Sequence, residues 1–163
     1  DIDSTDKLLQ AIVYEHTRRL NLLRKERVRN FNEYNNKICE SKKLPRIVVV
    51  IDEINELLYK ENLSADDIEK ANRIEHNLNT LARLARPTGI NILSATERPE
   101  IRILRNQLLN NIPVRIYGSR IEGKFSELVV GNEIIRKIGH IKGRFVVTIG
   151  CEFKETQFYY FNE

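Results

Sequence analysis

Apolar positions in this chain recur at two different spacings, and the places where the spacing changes mark out its elements. Behind the polar opening Asp3-Ser4-Thr5, residues Leu8, Leu9, Ile12, Val13, Leu20 and Leu23 recur at helical intervals and predict one long amphipathic helix. A short second helix is predicted over "NFNEYNNKIC", ending near the charged turn that contains Pro45. From Arg46 to Ile51 ("RIVVVI") the apolar residues are consecutive rather than alternating. That pattern predicts a strand covered on both faces, as in a parallel sheet flanked by helices.

A polar loop follows, and Ser64-Ala-Asp-Asp67 has the form of a capping box. Ala71, Ile74, Leu78, Leu81, Ala82 and Ala85 then repeat at helical spacing until Pro87 and Gly89 stop them. "GINILSATERP" predicts a buried strand that turns polar at its C-terminal end, "EIRILRNQLLNN" a helix, and "IPVRIYG" a third strand. Strand, helix and strand in alternation predict an α/β fold with a mostly parallel sheet. The tail departs from the alternation: "GRFVVTIG" and "KETQFYYFN" form a hairpin pattern joined through Gly150. With no repeat, low-complexity tract or linker, residues 1–163 are expected to form a single domain.

Composition narrows the function classes. The chain has 163 residues, 41% hydrophobic and 31% charged, enough for one sizeable core. No apolar run approaches the roughly 20 residues that span a bilayer, and the N-terminus has neither the basic nor the hydrophobic region of a signal peptide. No membrane contact by this chain and a cytoplasmic location are therefore expected. Cys39 and Cys151 stand apart, without metal or redox spacing, and read as reduced thiols. His16, His76 and His140 have no second ligand at helical spacing and read as surface or packing residues. The net charge of +4 is small, but Arg18, Arg19, Arg24, Lys25, Arg27 and Arg29 crowd one stretch, which suits a solvated helix face and a DNA partner equally well.

The candidate chemistry lies at strand ends, where open α/β sheets bind ligands. Asp52-Glu53, Ser94-Ala95-Thr96 and Tyr117-Gly118-Ser119 all occupy such positions. Four apolar residues followed by two acids is the form of a Walker B motif, in which one acid holds hydrated magnesium and the next orients the attacking water. Asp52 takes the first role and Glu53 the second. The same acids would also be favoured by the dipole of a following helix, whatever their chemistry.

The surrounding residues favour the first reading. "LARLARPTGINILSATERP" resembles the stretch of FtsK/SpoIIIE-type motor ATPases that runs through an Arg-rich helix end, a G-I-x-hydrophobic strand and an A-T-Q-R-P turn. Here that turn carries Glu97 in place of Gln. "EHTRRLNLLRKERVRNFNEYNNKI", "LLNNIPVRI" and "GRFVV" are similar to further family segments, in the same order. The resemblance implies a RecA-like P-loop NTPase core that binds ATP and Mg2+. It also implies a homo-oligomer, a hexameric ring in the family, that moves double-stranded DNA in chromosome segregation or conjugative transfer. Type VII-like secretion ATPases, which move proteins, share this motor core. Asp52 and Glu53 match the Walker B acids and Thr96 the polar residue that senses the γ-phosphate. Arg86, Arg98 and Arg115 fall at positions from which an arginine finger or sensor acts, and any membrane tether belongs to regions outside this chain.

The family's phosphate-binding loop precedes the first helix seen here, so the Walker A strand is expected to be absent from this chain, leaving the fold incomplete and the chain alone without ATPase activity. A degenerate assembly module would behave in the same way. One substitute loop exists, because Gly118-Ser-Arg-Ile-Glu-Gly123-Lys124 fits G-x-x-x-x-G-K. Phe125 follows where magnesium needs a hydroxyl, and Ser126 comes one position late. Successive N–H groups of a P-loop face the phosphates, so a slip of one residue points the hydroxyl elsewhere.

Overall fold

The computed structural model describes residues 1–97, 106–118, 141–150 and 152–159. These fall into two compact units, Asp1–Arg98 and Pro99–Glu163.

In the first unit, helix α1 (Ile2–Glu26) starts on Asp1, whose carboxylate accepts from the Asp3 N–H, and ends on Arg27 in the left-handed conformation. Helix α2 (Phe31–Lys37) is capped by Asn30. Strand β1 (Ile47–Ile51) leads into the short helix α3 (Ile54–Leu58), which the hydrophobic pattern did not reveal because only one turn of it is apolar. Helix α4 (Ala65–Leu84) starts on Ser64, whose hydroxyl accepts from the Asp67 N–H at 3.2 Å. A 3-10 turn, Arg86–Thr88, then delivers the chain to strand β2 (Ile90–Ser94).

β1 and β2 pair in parallel, Val49 opposite Ile92 and Ile51 opposite Ser94. Helix α4 packs on α1 and β2, and Leu9, Leu23, Ile74, Leu78, Leu81, Val49 and Ile90 form the core. Ion pairs close the α1–α4 seam: Arg73 to Asp6 at 2.8 Å and Lys70 to Asp3 at 2.6 Å.

Two expectations change here. Val48 and Val50, with Leu93 opposite Val50, lie on the other face of this sheet and are 55%, 68% and 60% exposed, so one face of the β1–β2 pair is open rather than covered. On α1, Leu9 is buried but Leu8 is exposed, since adjacent helical residues point about 100° apart. The buried stripe instead takes in His16 and Arg19, at 3% and 1% exposure. Arg19 therefore does not belong to a solvated basic face, whereas Arg24, Lys25, Arg27 and Arg29 are exposed.

The second unit holds helix α5 (Asn106–Leu109) and strands β3 (Val114–Gly118), β4 (Arg144–Ile149) and β5 (Glu152–Gln157). They form an antiparallel sheet in the order β3-β4-β5. The β4–β5 hairpin turns at Gly150, whose φ of 62° suits glycine. Tyr117 and Val146 pair across β3 and β4 on the buried face, and the Phe145 and Phe158 rings meet edge to face at 5.0 Å. Among the described residues no helix is long and apolar enough to cross a membrane.

Candidate functional site

Strand β1 ends at Ile51, and the next two residues are the acid pair. Three hydrogen bonds stitch this corner to the turn that follows β2. The Ala95 N–H donates to Ile51 O at 2.9 Å, the Ile54 N–H to Ala95 O at 3.0 Å, and the Glu97 N–H to Glu53 Oε2 at 2.8 Å. The other carboxylate oxygen, Oε1, accepts from the Asn55 N–H at 3.2 Å, so that Glu53 is also the N-cap of α3. The structure thus brings Asp52, Glu53 and Thr96 together through parallel strands of matched length.

The two acids are in different states. Asp52 is exposed and, among the described residues, makes no hydrogen bond or ion pair. Burial pushes the Glu53 carboxyl up, but the Thr96 hydroxyl and the Glu97 and Asn55 N–H groups outweigh it and hold the pKa below the usual glutamate value. Glu53 is therefore an ionised acceptor at neutral pH. Thr96 Oγ1 stands beside that carboxyl, shielded from solvent and without a hydrogen bond of proper geometry. A buried hydroxyl with no formed bond is costly unless something accepts from it.

These residues fit the metal side of a magnesium nucleotide. Mg2+ keeps several waters and takes one or two carboxylates plus phosphate oxygens rather than a closed protein cage, and no cluster of three metal-ligating side chains is present among the described residues. Asp52 supplies a hard oxygen without a partner among the described residues, and Thr96 a hydroxyl beside the Glu53 carboxylate.

The arginines separate clearly. Arg86 is exposed at the head of the 3-10 turn and, among the described residues, makes no ion pair or side-chain hydrogen bond. It precedes β2, whereas Thr96 follows it. Five strand residues put about 17 Å between those ends. Arg115, in the second unit, is occupied: its guanidinium donates to Leu109 O and to Ile112 O at the end of α5. Gly118 closes β3, with the Phe145 ring against it. Arg98, Gly123 and Lys124 lie outside the described residues, as do His140 and Cys151.

Sequence reasoning missed the Glu97 and Asn55 N–H groups, which no side-chain pattern can display. The polar turn after β2 was the only available signal. Glu97 itself is exposed. His16, expected as a surface or packing residue, is a packing one: its Nδ1 lies 2.9 Å from Thr88 Oγ1 in the core.

No family model matches the chain. The DNA translocase FtsK of Campylobacter jejuni subsp. jejuni is 32% identical over 121 residues, covering 71% of this chain and 12% of that protein. Among solved structures, the pCW3 conjugation coupling protein TcpA, in monomer form with ATPγS, matches with a TM-score of 0.93 and 40% identity over 99% of this chain and 46% of that one. EssC (ATPases 2 and 3) from Geobacillus thermodenitrificans matches in fold, with a TM-score of 0.72 and 23% identity over 95% of this chain and 27% of its own. The chain thus spans less than half of the length of these relatives. The acid-tipped strand, the Thr96 turn, the P-loop ATPase fold and the sequence likeness agree, and the chain belongs to the FtsK-type family of DNA translocases.

Proposed function

We propose that this chain contributes the Walker B half of an ATP-driven motor that moves double-stranded DNA, in segregation or conjugative transfer. The observation that carries the reading is the unequal pair at the end of β1, an unbonded, exposed Asp52 beside a Glu53 whose carboxylate is held ionised against the Thr96–Glu97 turn. Asp52 holds the hydration shell of Mg2+, Glu53 orients the attacking water, and Thr96 donates to the γ-phosphate. The bound metal supplies charge neutralisation for the phosphates. The phosphate-cradling loop belongs to residues other than these.

Arg86 acts as the arginine finger. It stands at the opposite end of β2 from its own acid pair, so it serves the nucleotide of a neighbouring copy, which requires a closed homo-oligomer. Six copies, as the family resemblance implies, make such a ring. Arg115 is already committed to the carbonyls of Leu109, in α5, and of Ile112, just after it. The motor works in the cytoplasm, where ATP and DNA meet, a reading that the likeness to DNA translocases supports.

The test is steady-state ATP turnover of the full-length protein with and without double-stranded DNA. Turnover stimulated by DNA and abolished in Glu53→Gln is the expected result. Turnover indifferent to DNA and raised by small helical secreted proteins would favour a type VII-like secretion ATPase. No turnover in any setting would leave the assembly module. For residues 1–163 alone, calorimetric titration with magnesium and a non-hydrolysable ATP analogue should show no binding. Binding lost in Lys124→Ala would instead make "GSRIEGK" a phosphate loop.

A further inference from the structure

The turn that carries Arg86 is fastened from beneath by a buried polar cluster. Thr88 is fully buried, and its hydroxyl donates to Ala85 O at 2.7 Å. A hydroxyl has one proton, and a carbonyl oxygen only accepts. The His16 Nδ1, 2.9 Å from the same oxygen, must therefore be the donor, which fixes the neutral ring in the Nδ1–H tautomer.

One helical turn further along α1, Arg19 Nη1 donates to Thr88 O at 3.1 Å and to Pro45 O at 2.8 Å, while its Nε is paired with Glu15 at 2.7 Å. Thr88 is thus held at both its side chain and its carbonyl by two residues on one face of α1. Gly89 completes the fastening. Its φ is +76°, and a Cβ there would lie 2.5 Å from the Phe31 ring. Gly89 O also accepts from the Ile47 N–H at 3.0 Å. Within this 3-10 turn the inward direction belongs to Thr88 and the outward one to Arg86, which is exposed.

We propose that His16, Arg19 and Thr88 are positioning residues for Arg86, holding the turn from which its guanidinium reaches the neighbouring copy. The inference rests on the reading of Arg86 as a finger. Displacing a catalytic group by about 1 Å costs on the order of a hundredfold in rate, so a three-point clamp on the residue two positions away has kinetic consequences.

The experiment is a double-mutant cycle on DNA-stimulated ATP turnover in the full-length protein. Thr88→Val removes the hydroxyl at constant shape, and Arg86→Ala removes the finger. Thr88→Val should lower kcat about tenfold or more with KM for ATP unchanged. The double variant should be no slower than Arg86→Ala alone, and Thr88→Ser, which keeps the hydroxyl, should restore kcat. Losses that multiply would make Thr88 merely structural and overturn the inference. Full turnover in Arg86→Ala would refute the finger reading, and the inference with it. Folding of the valine variant does not limit the test, because nitrogen-15 NMR of the unmodified chain reads the His16 tautomer directly: Nδ1–H supports the clamp and Nε2–H refutes it.

Discussion

Gly89→Ala should be among the most damaging single-methyl additions in the first unit, and the structure separates its cost into two parts. A residue other than glycine at φ +76° carries a left-handed penalty of about 1–2 kcal/mol. The added methyl would also meet three atoms of the Phe31 ring at 2.5 to 2.9 Å, closer than van der Waals contact permits. Phe31 is buried and stacked under the Arg46 guanidinium, 5.1 Å from its centroid, so the ring has little room to yield. Overpacking of this kind costs about 1–3 kcal/mol. The sum, about 2–5 kcal/mol, is a large share of the roughly 5–15 kcal/mol that holds a domain folded. Urea denaturation of the chain would measure it directly. Gly89→Asn, which tolerates the left-handed region, should recover part of the backbone penalty while keeping the clash. In the Phe31→Leu background, Gly89→Ala should cost only the backbone part. A change of less than about 0.5 kcal/mol for Gly89→Ala, or equal costs in both backgrounds, would refute the argument.

Other expected outcomes follow from local geometry. Ser64→Ala removes the hydroxyl that caps α4 and should destabilise the chain by about 1 kcal/mol in the same assay; no change would mean that the cap is not formed. The guanidinium of Arg18, with that of Arg19, outweighs the burial of Glu15 and holds its carboxyl at about 2 against an ordinary value of 4.5. The native state therefore binds fewer protons than the unfolded one at acid pH, and the stability it contributes is full above pH 4.5 and lost as pH falls toward 2. Glu15→Gln should flatten that part of the stability profile, and an unchanged slope would count against the interaction. Val50→Thr, at 68% exposure, should stay within about 0.5 kcal/mol of the parent in this chain. A larger loss would show that the face is covered.

Sequence alone determined the features that depend on neighbours within a few residues. Ser64 caps α4 because its hydroxyl reaches the N–H three residues on, and Ala71, Ile74, Leu78 and Leu81 are buried because helical periodicity puts them on one face. Asp52-Glu53 at the end of an apolar strand was legible for the same reason, and the order of motifs along the chain made the family legible too. What the tertiary structure decided is what joins residues distant in sequence. His16 meets Thr88 across 72 positions, and Glu53 meets the Glu97 N–H across 44. Periodicity cannot announce such pairs, because a buried histidine or arginine interrupts the apolar stripe of α1 instead of extending it. The same holds for the arginines: Arg86 and Arg115 look equivalent as letters. Only packing shows that α5 occupies one guanidinium, while the inward-held Thr88 leaves the other exposed.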